Sequence, residues 1–294
     1  MEDTVFTLSC GNLELQLSPS IGGAISNFAW TGDDGRSPIL RESHSPLQNV
    51  LDAACFPLVP FVNRIRDGCF VFRGRTVRLM PNMAGDPSPL HGQGWVNPWK
   101  VQEADGSTAI LSYRHGPGEW PWAYEARQEF RLEANALHLK LACTNRSDEP
   151  MPCGLGFHPY FPCSGGTRIQ TEVQEVWTVD EKVLPVARMP AVGRYAIRDD
   201  PVCGRDLDNG YGGWSGRTIL SDPDWPYELE LSSDGARFFQ LYSPEEGGIF
   251  VAEPVTHANA ALNEPEADWP ALGIRVLEPG ETMDLAARIA VEAR

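Results

Sequence analysis

The chain has 294 residues, 42% of them hydrophobic and 22% charged, a globular balance that excludes both a disordered and a membrane-spanning composition. Forty acidic against 24 basic side chains leave a formal charge of -16, so nucleic acid and other polyanions meet long-range repulsion, and an uncharged ligand is the easier partner. The first ten residues, MEDTVFTLSC, carry acids where an export signal carries Lys or Arg, and no apolar run of membrane-spanning length follows.

Read along the chain, 28 glycines and 25 prolines break the sequence too often for helices of ordinary length, and the intervening runs have strand character. ELQL at 14–17, CFVF at 69–72 with TVRLM at 76–80, and YELELS at 227–232 are strand-length β-rich or alternating runs. FRGRT at 72–76 predicts a hairpin connection with Gly74 at positive φ. YEARQEFRLE (124–133) and ALHLKLACTN (136–145) predict a longer hairpin, in which Leu137, Leu139 and Leu141 face inward while His138 and Lys140 face out. Helix is confined to short pieces such as SPLQNVLDAA at 45–54. No repeat or linker interrupts the strand signal, which predicts an all-β fold, a large antiparallel β-sandwich with few short helices, as one domain over 1–294.

Seven cysteines, an odd number without a C-x-x-C pair, read as reduced thiols and hence a cytoplasmic protein. The spacing of Cys153, His158 and Cys163 lacks the short knuckle of a zinc site, so no metal is expected there.

Chemistry concentrates in stiff loops rich in Pro, Gly and aromatic residues. PFVNRIRDG (60–68), LHGQGW (90–95), GFHPYF (156–161), LDNGYGGWSG (207–216) and VAEPVTHANAALN (251–263) each set an ionisable side chain among such residues. Singly, each admits a structural role: Arg64 pairing with a carboxylate, His91 bonding a loop backbone, Asp208 closing an Asx-turn, His158 packed in the core. Glu253 is harder to dismiss, because it comes where the apolar run GIFVAEPV ends, at an expected sheet boundary where burial would oppose its charge. The rings of Trp95, Trp99, Tyr160 and Trp214 fit either a core or the C–H face of a sugar.

The ordered set Asn63-Arg64, His91-Gly92, Phe157-His158-Pro159-Tyr160, Leu207-Asp208 and Glu253-Pro254 resembles the aldose 1-epimerase, or galactose mutarotase, family over nearly the whole chain. The resemblance implies a galactose mutarotase-like β-sandwich, Glu253 as catalytic base, His158 as catalytic acid, and Arg64, His91 and Asp208, with Asn63 and Tyr160 beside them, as residues that hold a monosaccharide. It implies neither a metal nor an organic cofactor. The expected chemistry is removal of the C1 hydroxyl proton and protonation of O5 by a carboxylate and an imidazolium on opposite sides of the sugar. His257 is expected to support the site rather than take part. Arg66, Arg73, Arg75 and Arg78 raise a hexose-6-phosphate 1-epimerase as an alternative, although hairpin alternation turns several of them to solvent. A carbohydrate-binding protein without activity and a glycosidase pairing Glu253 with Asp208 are further alternatives. The sugar and the oligomeric state are not legible.

Overall fold

Alternation along 124–145 has the expected result. Tyr124–Glu133 and Ala136–Asn145 pair antiparallel, with Leu132 opposite Leu137, and Leu137, Leu139 and Leu141 are buried while Lys140 is exposed. In the computed structural model, which describes residues 5–33, 35–43 and 47–294, this hairpin lies within a nine-stranded sheet. An eight-stranded antiparallel sheet contains Glu175–Val179, Leu207–Gly212, Phe238–Ser243 and Ile249–Val255 as successive neighbours, followed by the short strands Gly156–Phe157 and Pro57–Leu58. Residues 6–38 add a four-stranded antiparallel sheet.

Leu139, Leu141 and Leu229 from the larger sheet share one core with Tyr211, Phe239, Leu241, Phe250 and Ala252 from the other. Because a strand turns alternate residues to opposite faces, the residues between these, Asp208, Gln240 and Glu253, must lie on the far face of the eight-stranded sheet. That face carries the cleft described below.

FRGRT closes the predicted turn, with Arg73 at φ 48° and Gly74 at φ 77° joining Cys69–Phe72 to Arg75–Arg78. Three expectations change. The helix over 45–54 is a single 3-10 turn at Val50–Asp52, since Asn49 caps it and Ala53 is already extended; residues 45 and 46 lie outside the described set. Glu253 is not at a sheet boundary. Ile249–Val255 is an inner strand, buried continuously from Phe250 to Val255. Finally, Cys163 and Cys203 are joined in a disulfide with Cα atoms 5.7 Å apart, so only five cysteines are free thiols and the argument for a reducing compartment loses its basis. Forty residues separate the two in sequence, and the fold alone brings them together. No helix among the described residues is long and apolar enough to cross a membrane.

Candidate active site

Cross-strand register explains how two residues 95 positions apart meet. Gly156 pairs with Val255, and Tyr160 pairs with Val251 on the same strand. Carried across the gap, this register sets His158 opposite Glu253. Pro159 has no N–H to offer a ladder, and the chain bows there, with the His158 and Tyr160 amides donating instead to the carbonyls of Phe56 (3.0 Å) and Ala54 (2.9 Å). The result is an imidazole Nε2 lying 3.4 Å from the Glu253 carboxylate.

The His158 ring is held by stacking. Phe56 lies on it at 4.4 Å between ring centroids, Tyr160 leans against it at 4.7 Å and His91 meets it edge-on at 5.4 Å. Of the aromatics adjoining His158 in sequence, only Tyr160 serves; Phe157 and Phe161 point into the core. The fourth ring, Trp95, stacks on Phe56 and donates its indole N–H to the Leu90 carbonyl at 2.9 Å, while Trp99 and Trp214 belong to the core.

His91 comes from a loop bent at two consecutive left-handed residues, His91 at φ 57° and Gly92 at φ 72°. A side chain at position 92 would run into the Val59 carbonyl oxygen, 2.1 Å from its Cβ, which is why the HG pair needs glycine second. The Asn82 amide group stitches this loop to itself, accepting from the Leu90 N–H and donating to the carbonyls of Leu90 and Gly92. His91 Nδ1 accepts the Asn63 N–H at 3.1 Å, which leaves the proton on Nε2 and makes that nitrogen a donor.

Arg64 donates through Nε to Asp86 at 2.9 Å and through Nη1 to the Asn63 side-chain oxygen at 3.3 Å, with Asp208 3.8 Å away. Asp208 in turn accepts from the Gln240 amide at 2.6 Å, and Gln240 stands across from Glu253 in the ladder. Glu253, His158, Arg64, His91, Asp208, Asn63 and Tyr160 therefore all line one cleft of about 280 Å³. Leu51, Met83, Leu90 and Trp95 give it an apolar side, so one flank is suited to C–H groups and the sheet floor to hydroxyls.

Burial sets the protonation of the central pair. It pushes the Glu253 carboxyl well above the usual carboxylate range, helped by the neighbouring Asp208 and opposed by Arg64. It pushes the His158 imidazole down to about 3, with the positive Arg41 acting in the same direction. Burial thus works against charge on both groups, so a charged pair here depends on the partners around it. The two do not face each other across a sugar-wide gap; they are adjacent on one wall.

Sequence reasoning missed Phe56, Asp86, Gln240 and Tyr242. Gln240 and Tyr242 carried a signal, since FFQLYS puts polar groups on alternate positions of an apolar strand. Phe56 carried none, because an aromatic in AACFPLVP reads as core. His257 accepts the Val62 N–H on Nε2 at 2.9 Å and bonds the Ala258 carbonyl through Nδ1 at 2.8 Å, a structural position away from the cleft lining. Arg66 donates to the Pro185 carbonyl, while Arg73 and Arg75 meet the surface acids Glu278 and Glu149, so these three arginines are engaged separately. Among the described residues no three His, Cys, Asp or Glu side chains are placed to hold a metal ion, and Cys163 of the Cys153-His158-Cys163 trio is in the disulfide.

This arrangement defines a β-sandwich protein with a sheet-floored cleft holding a carboxyl and an imidazole in contact. The family model for aldose 1-epimerase matches residues 5–290. The uncharacterized protein YphB of Escherichia coli (strain K12) is 32% identical over 299 residues, covering 97% of this chain and 99% of that one. A solved Escherichia coli K12 structure, described as a candidate aldose 1-epimerase, superposes with a TM-score of 0.90 at 31% identity over 99% of both chains. The galactose 1-epimerase of Lactobacillus acidophilus NCFM shares the fold, with a TM-score of 0.77 at 17% identity over 98% of this chain and 94% of its own. The chain belongs to the aldose 1-epimerase family.

Proposed function

We propose that the protein interconverts the α and β anomers of an unphosphorylated aldose. The observation that carries this reading is the contact between His158 and Glu253, 3.4 Å apart on the wall of one cleft. Opening a pyranose requires a proton to leave the C1 hydroxyl and another to reach O5, and both oxygens are bonded to the same carbon. An acid and a base serving them must both reach that one carbon's oxygens, and these two groups open onto the same cleft. Glu253 takes the hydroxyl proton while His158 delivers its own to O5; the C1–O5 bond breaks, the aldehyde turns, and the reverse transfers close the ring on its other face.

The pair needs one proton in total for this cycle. With a sugar bound, hydrogen bonds to the carboxylate favour a charged Glu253 and leave the proton on His158, so the acid and base roles are assumed in the complex. His91 Nε2–H and the Arg64 guanidinium are donors for O5 and the ring hydroxyls, and Asp208 is an acceptor. Phe56, stacked on the imidazole, and Tyr160, tilted against it, keep the ring in place and away from water. Only protons and one C–O bond change, so the chemistry asks for no redox or group-transfer partner.

Charge supports an unphosphorylated substrate over a hexose 6-phosphate. Arg64 is the one cation lining the cleft among the described residues, it is already engaged by Asp86, and Asp208 and Glu253 face the same space. A phosphate dianion would meet the Asp208 carboxyl group and a single guanidinium already paired with Asp86.

The test is polarimetry or NMR of freshly dissolved α-D-glucose, α-D-galactose and their pentose counterparts, with glucose 6-phosphate alongside. Faster equilibration of a neutral sugar, abolished in Glu253→Gln and in His158→Asn, is expected. Saccharide binding by calorimetry without acceleration of any sugar would make this a binding protein instead.

A further inference from the structure

The loop that delivers Asn63 and Arg64 is held in an unusual way. Its residues include Asn63 at φ 56° and Asp67 at φ 55°, two side-chain-bearing residues in the left-handed region within five positions, a conformation that persists only where the surroundings enforce it. On one edge the loop is tied by backbone: Leu90 forms an isolated antiparallel bridge with Arg64, and the His91 amide donates to the Asn63 carbonyl at 3.0 Å.

On the other edge no strand is present, and side chains replace it. Three alternate amides, those of Val62, Arg64 and Arg66, donate to His257 Nε2 (2.9 Å), the Asn259 side-chain oxygen (3.2 Å) and the Asn263 side-chain oxygen (2.7 Å). All three acceptors come from HANAALN, which begins four residues after Glu253. Asn259, 8% exposed, also donates to the Val183 carbonyl at 2.8 Å, so its amide is fixed at both ends. The segment following the catalytic strand thus acts as a side-chain ladder for the sugar-binding loop.

We infer that Asn259 is a positioning residue, which sets the Arg64 backbone so that the guanidinium reaches both Asp208 and the substrate, with His257 and Asn263 anchoring the loop on either side. This rests on the mutarotase reading for its kinetic consequence, though not for its structural one. Removing the acceptor in Asn259→Ala leaves a part-buried Arg64 N–H without its partner, and the left-handed turn beside it relaxes.

Two measurements test it. In the full-length protein, Asn259→Ala is expected to raise KM about tenfold with kcat within about threefold of wild type, and to add little when combined with Arg64→Ala, because both changes remove the same interaction. Hydrogen exchange at the amides of residues 62–66 should quicken in the variant while the strands 124–145 stay protected. Simple loss of folded protein would instead lower kcat at unchanged KM, and that result, or penalties that multiply in the double variant, overturns the inference. If wild type accelerates no sugar, the mutarotase reading fails by itself; unchanged exchange at 62–66 in Asn259→Ala then decides against the ladder, and quickened exchange sustains it.

Discussion

The outer face of the hairpin 124–145 and the cleft face of the strands 207–255 are both antiparallel sheet with polar residues on alternate positions, and their charges behave in opposite ways. On the hairpin, His138 meets Glu133 at 3.1 Å, Arg146 meets Glu125 at 2.8 Å, and Arg131 pairs with Glu133, each with at least one partner well exposed to water. Exposed pairs of this kind are worth about 0–1 kcal/mol. On the cleft face, Phe56, Arg64, Met83, His91 and Trp95 from segments outside the sheet's strands border the cleft, and Glu253 is 3% exposed. The same alternation yields a solvated surface in one place and a reactive one in the other, and the difference is the cover.

Breaking that contrast should produce effects of graded size. Glu253→Gln or His158→Asn should lower kcat/KM about 10²- to 10⁴-fold in an anomer-equilibration assay, whereas His138→Asn, an imidazole beside a carboxylate on the open face, should leave it within about twofold.

The buried imidazoles should also make folding sensitive to acid. His257 is pushed by burial down to about 4 in the folded chain, against 6.5 for the ordinary ring. A depressed folded value means that the unfolded chain binds the proton more readily, so this contribution is complete above pH 6.5 and shrinks as pH falls toward 4. Glu253, raised by burial, acts with the opposite sign, contributing below the ordinary carboxylate range and losing that contribution as pH rises through its folded value. Comparing wild type with His257→Gln cancels the Glu253 part. Wild-type stability in urea should fall by about 3 kcal/mol more than that of the variant between pH 6.5 and 4, and equal slopes would contradict a neutral buried His257.

Asp86→Asn removes the charge facing Arg64 at a nearly buried position and should cost about 2–4 kcal/mol of stability together with weaker sugar binding. At the small end, Glu125→Gln breaks the contacts to Arg114 and Arg146 on the open face and should change stability by less than about 1 kcal/mol in thermal unfolding. A larger loss there would mean that the hairpin surface is less open than its accessibility indicates.

Much of this could be read before any coordinates. Strand alternation gave the hairpin and the orientation of Leu137, Leu139 and Leu141, and the resemblance carried by five short stretches named the seven residues that line the cleft together. The strand and turn readings hold because period-two alternation and Gly at positive φ act within a few residues of chain, whereas the site residues were named by the family resemblance and not by local chemistry. Phe56 over His158, Gln240 on Asp208, the Asn259 grip on the Arg64 amide and the Cys163–Cys203 bond were not legible, since each joins segments between 32 and 195 positions apart.

From the amino acids alone follow the β class, the strands and the kinds of side chain available for acid–base work. The assembled chain decided that Glu253 and His158 touch, 3.4 Å apart, and that burial opposes charge on both. Contact across a ladder depends on how distant strands come into register, and charge depends on how much water the surrounding loops exclude; neither quantity exists until the sheet has formed and been roofed.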